Sequence, residues 1–274
     1  MYHETINFAT KEYPFLVEHT DVKYIPHFHT EPEIVYVIQG KVNVTIENNT
    51  FIITEGDICI FTPGLIHNLY TYESSKTFVM KLFPSEHLGN IQLYNNIIHR
   101  GDEVYDKLLE NIKCIMTENK EKNTGYELCV NICAEKIFLL IIRNMKYSKL
   151  KDTAQIKLAN KNEFLNSVTA FLEEHYAEDI TLEEAAMHHN YTKSYFCHYF
   201  KAVTGVTFWR YYTIFRLEKA LNMMKEYPDK KLIEIASNAG FKNVRSFNQS
   251  FKEYHHCTPR EYVKKYYTEN TFEF

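Results

Sequence analysis

The sequence predicts a multidomain α+β protein: a β-barrel or β-sandwich first, linker helices next, and an all-α domain with two helix-turn-helix units at the end. Short β-rich segments separated by turn residues fill the first part of the 274-residue chain. Helical periodicity begins near residue 101, and a helical unit after residue 163 is approximately duplicated. The predicted domains are therefore residues 1–100, 101–150 and 163–268, with the boundary in the polar segment 146–162.

Composition and charge narrow the class of protein. The chain is 45% hydrophobic and 24% charged, with 8 Gly and 7 Pro, which excludes collagen, a disulfide miniprotein and wholesale disorder. The formal net charge of -4 gives no sign of a polyanionic partner, but the charge is unevenly distributed. Residues 193–265 hold 14 basic and 6 acidic side chains, whereas residues 163–184 hold seven acidic side chains and neither Lys nor Arg. A basic working face is therefore expected in the C-terminal domain.

The N-terminal strands are expected at residues 34–38, 42–46, 51–53, 58–61 and 78–82. Turn signals separate them at residues 40–41, 48–49, 55–57 and 63–64. Alternation is clearest in Val42, Val44 and Ile46, which we expect to share one face of their strand.

Two linker helices follow. Leu108, Ile112 and Ile115 recur at helical spacing, and a second segment after residue 125 is apolar on more than one face. A helix of that kind needs two packing partners, which would be its own β-domain and a second subunit. The alternative is burial wholly within the monomer.

Each copy of the duplicated unit has the features of a helix-turn-helix. In the first copy, Thr181 and Glu184 form a capping box, Asn190 can adopt the left-handed conformation, and Thr192 can cap a helix over residues 193–204. In the second copy, at an offset of 50 and then 51 residues, Gly240 supplies the turn and Asn243 the cap. One long helix over residues 208–226 separates the copies.

The exposed face of each second helix carries Ser, His, Arg, Asn and Gln side chains, which can contact base edges in a major groove. Residues 240–252 (GFKNVRSFNQSFK) and 258–262 (TPREY) resemble the DNA-binding domain of the AraC/XylS family of bacterial transcription regulators. Asn190, His256 and Val263 depart from the residues usual in that family.

The resemblance implies particular DNA contacts. Base contacts would come from Ser194, Cys197 and His198 in the first copy and from Val244, Arg245, Asn248 and Gln249 in the second. Phosphate contacts would come from Lys193, Lys201, Asn243 and Lys252. Arg245 is expected to give the sharpest base preference.

A second constellation lies in the β-domain: His27, His29 and Glu33, followed by His67 after a Pro-Gly turn. Three imidazoles and a carboxylate suit a divalent transition metal with open positions. The spacing resembles the two motifs of the cupin barrel, and the sensor domains of the AraC/XylS family are cupin-like as well.

Three interpretations of these histidines stay open: a metal site, the lining of an effector pocket, or a structural role. Pocket lining is preferred, and the candidate effector-binding residues are Tyr24, His27, His29, Glu33, Tyr36 and His67. Polar groups on an aromatic floor suit a sugar or similar metabolite.

The leading functional hypothesis is therefore a sequence-specific, non-enzymatic transcription regulator that responds to a small-molecule effector. The alternative is a metal-dependent cupin enzyme with a helical DNA-binding appendage. Double-stranded DNA, an effector and a second copy are the expected partners, and RNA polymerase is a further candidate. No cofactor is required by this hypothesis, although the site admits a divalent metal.

Six cysteines without a C-x-x-C pair indicate reduced, mostly buried thiols. The first residues lack the pattern of a signal peptide, and the longest strongly apolar run is far too short to span a membrane. A cytoplasmic protein is expected.

Overall fold

A computed structural model of the chain describes residues 14–46, 49–71, 74–83, 87–255 and 257–264. It contains two compact units, and the chain passes from one to the other between Asn162 and Glu163. The parts of the predicted domains that fall in residues 1–13 and 265–268, and the departure at His256, lie outside the described residues.

The N-terminal unit is built mainly from antiparallel strands. These are β1 (Phe15–Thr20), β2 (Glu33–Ile46), β3 (Asn49–Thr54), β4 (Ile58–Phe61), β5 (His67–Tyr70), β6 (Ser75–Lys81), β7 (Ile91–Leu93), β8 (Ile97–Ile98) and β9 (Tyr147–Lys149). The order β1-β6-β2-β4-β8 forms one sheet, β3 and β5 pair with the far part of β2, and β7 pairs with β9. The described strands confirm the predicted β-rich N-terminal domain.

Strand β2 runs through both halves of this arrangement. Its first part, up to Gly40, pairs with β4 and β6, and its second part pairs with β3 and β5. The predicted turn at residues 40–41 is therefore wrong. The register shifts between Val37 and Gln39, and Gly40 has a φ of +82°, so the strand bends without ending. A Cβ at Gly40 would stand 2.2 Å from the Ser74 carbonyl oxygen.

Two apolar clusters lie on the opposite faces of the main sheet. Val42, Val44 and Ile46 share one face, as predicted, and pack inside the β-structure with residues such as Phe61 and Val79. The other face of the sheet packs against α1 (Tyr105–Glu121) and α2 (Tyr126–Asn144). Residues 101–150, which the sequence separates from the β-domain, thus share a core with it.

Helix α2 is apolar on two faces, as predicted. Val130, Cys133 and Ile137 are buried in the shared core. Leu128, Ile132 and Leu139 form an apolar stripe on the other side, and their exposed fractions are 65%, 48% and 44%. The described part of one chain therefore leaves this side of α2 uncovered, and the alternative of burial wholly within the monomer is excluded for the described residues.

The polar segment 146–162 forms β9 and the first part of a long helix, α3 (Asp152–His175). The division into two units falls inside this helix. The helical pattern that the sequence shows from residue 163 thus begins earlier, at Asp152.

The C-terminal unit contains the remaining helices: α4 (Leu182–His188), α5 (Lys193–Thr204), α6 (Phe208–Glu226), α7 (Leu232–Asn238), α8 (Val244–His255) and α9 (Pro259–Val263). Helix α7 begins 50 residues after α4, and α8 begins 51 residues after α5, which confirms the predicted duplication. Helix α6 lies between the two pairs and packs against α5, α7 and α8. In the described part of the chain, no helix is both long and apolar enough to cross a lipid bilayer.

Candidate functional site

The predicted histidine and glutamate residues come together in the N-terminal unit. Glu33 is the first residue of β2 and His67 the first of β5, while His27 pairs with His67 through an isolated β-bridge. One ligand atom from each of His27, His29, Glu33 and His67 lies within 4.8 Å of all the others, and all four residues are buried. The cluster that the sequence predicts is therefore formed.

The three imidazoles are oriented in the same way. The Nδ1 atoms of His27, His29 and His67 lie 2.8, 2.7 and 2.7 Å from the carbonyl oxygens of Ile25, Glu31 and Leu65. A carbonyl oxygen only accepts, so each Nδ1 carries the proton and donates it. In a neutral ring, Nε2 is then the atom with the free lone pair, the usual arrangement of a metal-binding histidine.

Glu33 carries the negative charge of the cluster. Burial alone would raise the pKa of Glu33, but the neighbouring imidazoles of His29 and His67 hold that pKa well below its usual range. Burial lowers the pKa of His29 and, together with the neighbouring His67, places the pKa of His27 well below its usual value. A buried anion thus faces two imidazoles, those of His27 and His29, whose pKa values are lowered.

The contacts of Glu33 leave polar atoms without hydrogen-bond partners. His29 Nε2 lies 2.9 Å from Glu33 Oε2, and His67 Nε2 lies 3.6 Å from Glu33 Oε1. Among the described residues, neither Glu33 Oε1 nor His67 Nε2 has a hydrogen-bond partner. Lone pairs on imidazole and carboxylate repel each other unless a proton or a cation lies between them. These four side chains therefore fit a divalent transition metal ion, whose ligands they could be.

Two residues of the site were missed by the sequence analysis. Lys81, directly opposite Glu33 on β6, is buried with its Nζ 4.0 Å from Glu33 Oε2. Phe61 stacks on His67 with ring centroids 3.9 Å apart. The signal for Lys81 was present, because it is a single charge inside the apolar strand 78–82.

The two predicted tyrosines have different positions. Tyr24 packs edge-on against His27, with ring centroids 5.6 Å apart, and its hydroxyl lies 2.7 Å from His19 Nε2. Tyr36 packs against the cluster shared with the helices, on the opposite face of β2 from Glu33. The prediction that Tyr36 lines this site is wrong, because residues 33 and 36 differ by an odd number of positions along a strand.

The first helix-turn-helix, α4 and α5, has the predicted local structure. The capping box of Thr181 and Glu184 is present, Asn190 has a φ of +58°, and Thr192 caps α5. Phe196 and Phe200 are buried. The predicted DNA-contacting residues of α5 lie on its other side: Lys193, Ser194, His198 and Lys201 are exposed and Cys197 is half-buried.

The second helix-turn-helix, α7 and α8, repeats this arrangement. Gly240 has a φ of +84°, and Asn243 Oδ1 accepts a hydrogen bond from the Ser246 backbone N–H at 2.8 Å. Phe247 and Phe251 are buried. Of the predicted contacts, Asn243, Arg245, Gln249 and Lys252 are exposed, and Val244 and Asn248 are half-buried.

One predicted phosphate contact already has a protein partner. Lys193 Nζ lies 2.5 Å from Glu183 Oε1, so the first turn of α5 is tied to α4 by an exposed ion pair. A phosphate would have to replace Glu183 as the partner of Lys193.

Two family models match the chain in succession. The AraC-like ligand binding domain matches residues 11–124, and a helix-turn-helix domain matches residues 185–265. Together they include the histidine cluster and most of both helix-turn-helix units. The chain belongs to the AraC/XylS family.

Relatives of this AraC-family protein agree with that assignment. The uncharacterized HTH-type transcriptional regulator YdeC of Bacillus subtilis is 24% identical over 278 residues, which cover 96% of this chain and 94% of the relative. An uncharacterized HTH-type transcriptional regulator of Staphylococcus aureus is 23% identical over 83% of this chain. The match covers only 30% of that longer relative.

The fold of this AraC-family protein also resembles a solved structure. Wild-type ToxT from Vibrio cholerae, crystallised with an unsaturated fatty acid bound, matches with a TM-score of 0.54 at 12% identity, over 92% of this chain and 95% of that chain. By its family models and its relatives, the protein is a transcription regulator with AraC-type ligand-binding and DNA-binding domains.

Proposed function

We propose that this regulator binds specific DNA sequences through both α5 and α8 and that an effector bound at the histidine cluster controls this binding. The observation that carries the proposal is the pair of helix-turn-helix units on α6, each with a buried aromatic side and an exposed polar side. Two second helices of that kind would contact successive major grooves. The excess of basic residues after residue 193 favours contact with phosphates.

A gel shift on DNA upstream of the protein's own gene tests the DNA half of the proposal. We expect a retarded complex that resists competition by random DNA. In a footprinting assay, the protected stretch of DNA should be shorter when the exposed residues of only one second helix are replaced. Binding that random DNA competes away equally well would contradict sequence-specific recognition.

We further propose a divalent transition metal ion as the group held by His27, His29, Glu33 and His67. The unpartnered Glu33 Oε1 and His67 Nε2 support this occupant, because an ion would join both atoms. When bound, the ion would offer an open coordination position to an anionic or hydroxyl-bearing effector. Lys81 would add a positive charge beside the same position.

Metal analysis of the purified full-length protein tests this occupant. We expect His67→Ala to lower the metal content by about one ion per chain, and His99→Ala, which removes an exposed imidazole of the same unit, to leave it unchanged. Protein that binds a small metabolite at this cluster without stoichiometric metal would instead support the preferred interpretation from the sequence, a sugar-like effector contacting the side chains directly.

Effector and DNA binding must be coupled reciprocally if the effector controls DNA recognition. A metabolite that changes DNA affinity by some factor must have its own affinity changed by the same factor when DNA is bound. Equal effector affinity with and without operator DNA would contradict this mechanism.

A metal-dependent enzyme is the second candidate function, and the buried three-histidine, one-glutamate ligand set favours it. Turnover of a substrate by the metal-loaded protein without DNA, abolished in Glu33→Gln, would support it. We propose the regulator as the primary function because the chain matches an AraC-like ligand binding domain and a helix-turn-helix domain, and because its relatives are named transcriptional regulators.

The proposed regulator acts as a homodimer in the cytoplasm, where bacterial DNA and RNA polymerase are found. The apolar stripe of α2 supports self-association, since three large apolar side chains there are exposed on one face. RNA polymerase is the proposed partner once the dimer is on DNA.

A further inference from the structure

Three cysteines converge between α1 and α2, outside the histidine cluster. Cys114 lies on α1, and Cys129 and Cys133 lie one helical turn apart on α2. The three sulfur atoms all lie within 4.8 Å of one another, and those of Cys114 and Cys129 are 3.6 Å apart. All three are free thiols.

The sulfur positions match the needs of a thiophilic metal ion. Metal–sulfur bonds of about 2.3 Å hold neighbouring sulfur ligands roughly 3.8–4.0 Å apart. The distance between the sulfur atoms of Cys114 and Cys129 is slightly shorter than this, and neither sulfur atom is more than 4.8 Å from that of Cys133, so small side-chain rotations would bring the three into place. Ile115 and Ile137 are buried in the shared core and hold the two helix backbones in place. Only the cysteine side chains would therefore have to rotate.

Access also suits such a site. Cys133 is buried, whereas Cys114 and Cys129 are half-buried, so an ion can reach the group from solvent.

We propose that Cys114, Cys129 and Cys133 form a binding site for one thiophilic metal ion, such as Zn²⁺ or Cd²⁺. Binding replaces three S–H bonds with three metal–sulfur bonds and releases three protons to solvent, with no change in oxidation state. Thiolate ligands select soft ions, whereas the imidazoles and carboxylate of the histidine cluster suit harder ones, so the two sites differ in preference. This site does not depend on the proposed function.

Cadmium titration of the reduced, metal-free, full-length protein tests the proposal. We expect an ultraviolet sulfur-to-cadmium charge-transfer band that saturates at one equivalent, together with protection of three thiols from a thiol-specific reagent. Imidazole and carboxylate ligands give no such band, so the readout separates this site from the histidine cluster.

Serine variants identify the ligands. Cys114→Ser and Cys129→Ser, both at half-buried positions that tolerate a hydroxyl, are each expected to lose most of the band. Cys257→Ser, which changes a half-buried cysteine of the other unit, is expected to retain it. The proposal is overturned by cadmium binding without a band, by a band that survives in both variants, or by the absence of a band after full reduction.

Discussion

Gly240 and Asn190 occupy equivalent turns of the two helix-turn-helix units, but their surroundings differ. Both have positive φ, +84° for Gly240 and +58° for Asn190. A Cβ on Gly240 would stand 2.5 Å from the Tyr176 carbonyl oxygen and 2.9 Å from Ala177 Cα, which are backbone atoms that cannot turn away. Asn190 already carries a side chain at the corresponding position. The close approach of the Tyr176 and Ala177 backbone to this turn therefore requires glycine in the second unit, whereas the first unit accepts asparagine.

Exchanging these two residues tests that difference. Gly240→Asn should destabilise the C-terminal unit by about 1–3 kcal/mol, because asparagine tolerates the left-handed conformation and only the steric clash remains. Asn190→Gly should change the free energy of unfolding by less than about 0.5 kcal/mol. Calorimetry of the full chain measures both, and equal effects of the two substitutions would contradict the steric argument.

Arg245 is the exposed residue of α8 best suited to read a base. Arg245→Ala should weaken specific DNA binding by about 1–3 kcal/mol and relax the preference at one base position. Lys252→Ala, at a proposed phosphate contact, should instead weaken binding to all sequences alike and lower the salt dependence. Binding assays on operator and random DNA distinguish the two, and an equal loss on both for Arg245→Ala would refute its role in base recognition.

Individual residues differ in how far the sequence predicts them. The caps Thr181, Thr192 and Asn243 were predicted because a cap acts within four residues of chain. Lys81 reaches Glu33 across a strand pairing that no local pattern encodes. Tyr36 was misassigned because composition suggested an aromatic pocket, while strand alternation places it on the other face.

At the scale of elements, the two helix-turn-helix units are alike in backbone but not in charge. The exposed ion pair of Glu183 and Lys193 ties α4 to α5. The equivalent positions of the second unit are Ile233 and Val244, which cannot form such a pair. In the first unit, a carboxylate therefore competes with DNA phosphates for the lysine.

Removing that carboxylate should strengthen DNA binding. Glu183→Gln releases Lys193 to a phosphate, so affinity for specific and random DNA should both rise at low salt, and the gain should shrink as salt screens the charges. Glu234→Gln, which removes one charge from α7, is the matched control and should give a smaller gain. Unchanged affinity at low salt in Glu183→Gln would show that Lys193 does not contact DNA.

Helices and strands were predicted well where the spacing of apolar residues stays regular, and poorly where that spacing shifts by one residue within an element. The helices of the duplicated unit were predicted because their apolar spacing is uninterrupted. In β2 the inward positions shift from odd numbers, such as Val35 and Val37, to even numbers, such as Val42 and Val44. The register shift near Gly40 causes this change. In the sequence alone, a glycine at which the alternation of apolar positions shifts looks the same whether the strand bulges or ends in a turn. The three-cysteine group was missed for a related reason, because a helical hairpin and not a short spacing brings it together.

At the scale of the whole molecule, the apolar stripe of α2 is the proposed contact between two copies. Ile132→Glu places a charge in the middle of that stripe and should convert the dimer to a monomer, because a buried unpaired charge is costly. Ile233→Glu, at a 62% exposed isoleucine of α7, is the control and should leave the dimer intact. Sedimentation of the full chain measures the outcome, and a dimer that persists in Ile132→Glu would exclude this face as the interface.

The single long strand β2 has a consequence for the order in which the chain can fold. It pairs with β3, β4, β5 and β6, all of which are synthesised after it, and its first residue, Glu33, has its cross-strand partner at Lys81. During translation, the edge of β2 that pairs with β6 therefore stays unpaired on the ribosome until β6 has emerged, although β3 and β4 can pair with β2 before then. Each helix-turn-helix, by contrast, closes within about 25 residues of chain. Folding of the regulator should be limited by its N-terminal sheet, which makes this sheet the part most exposed to misassociation in a nascent chain.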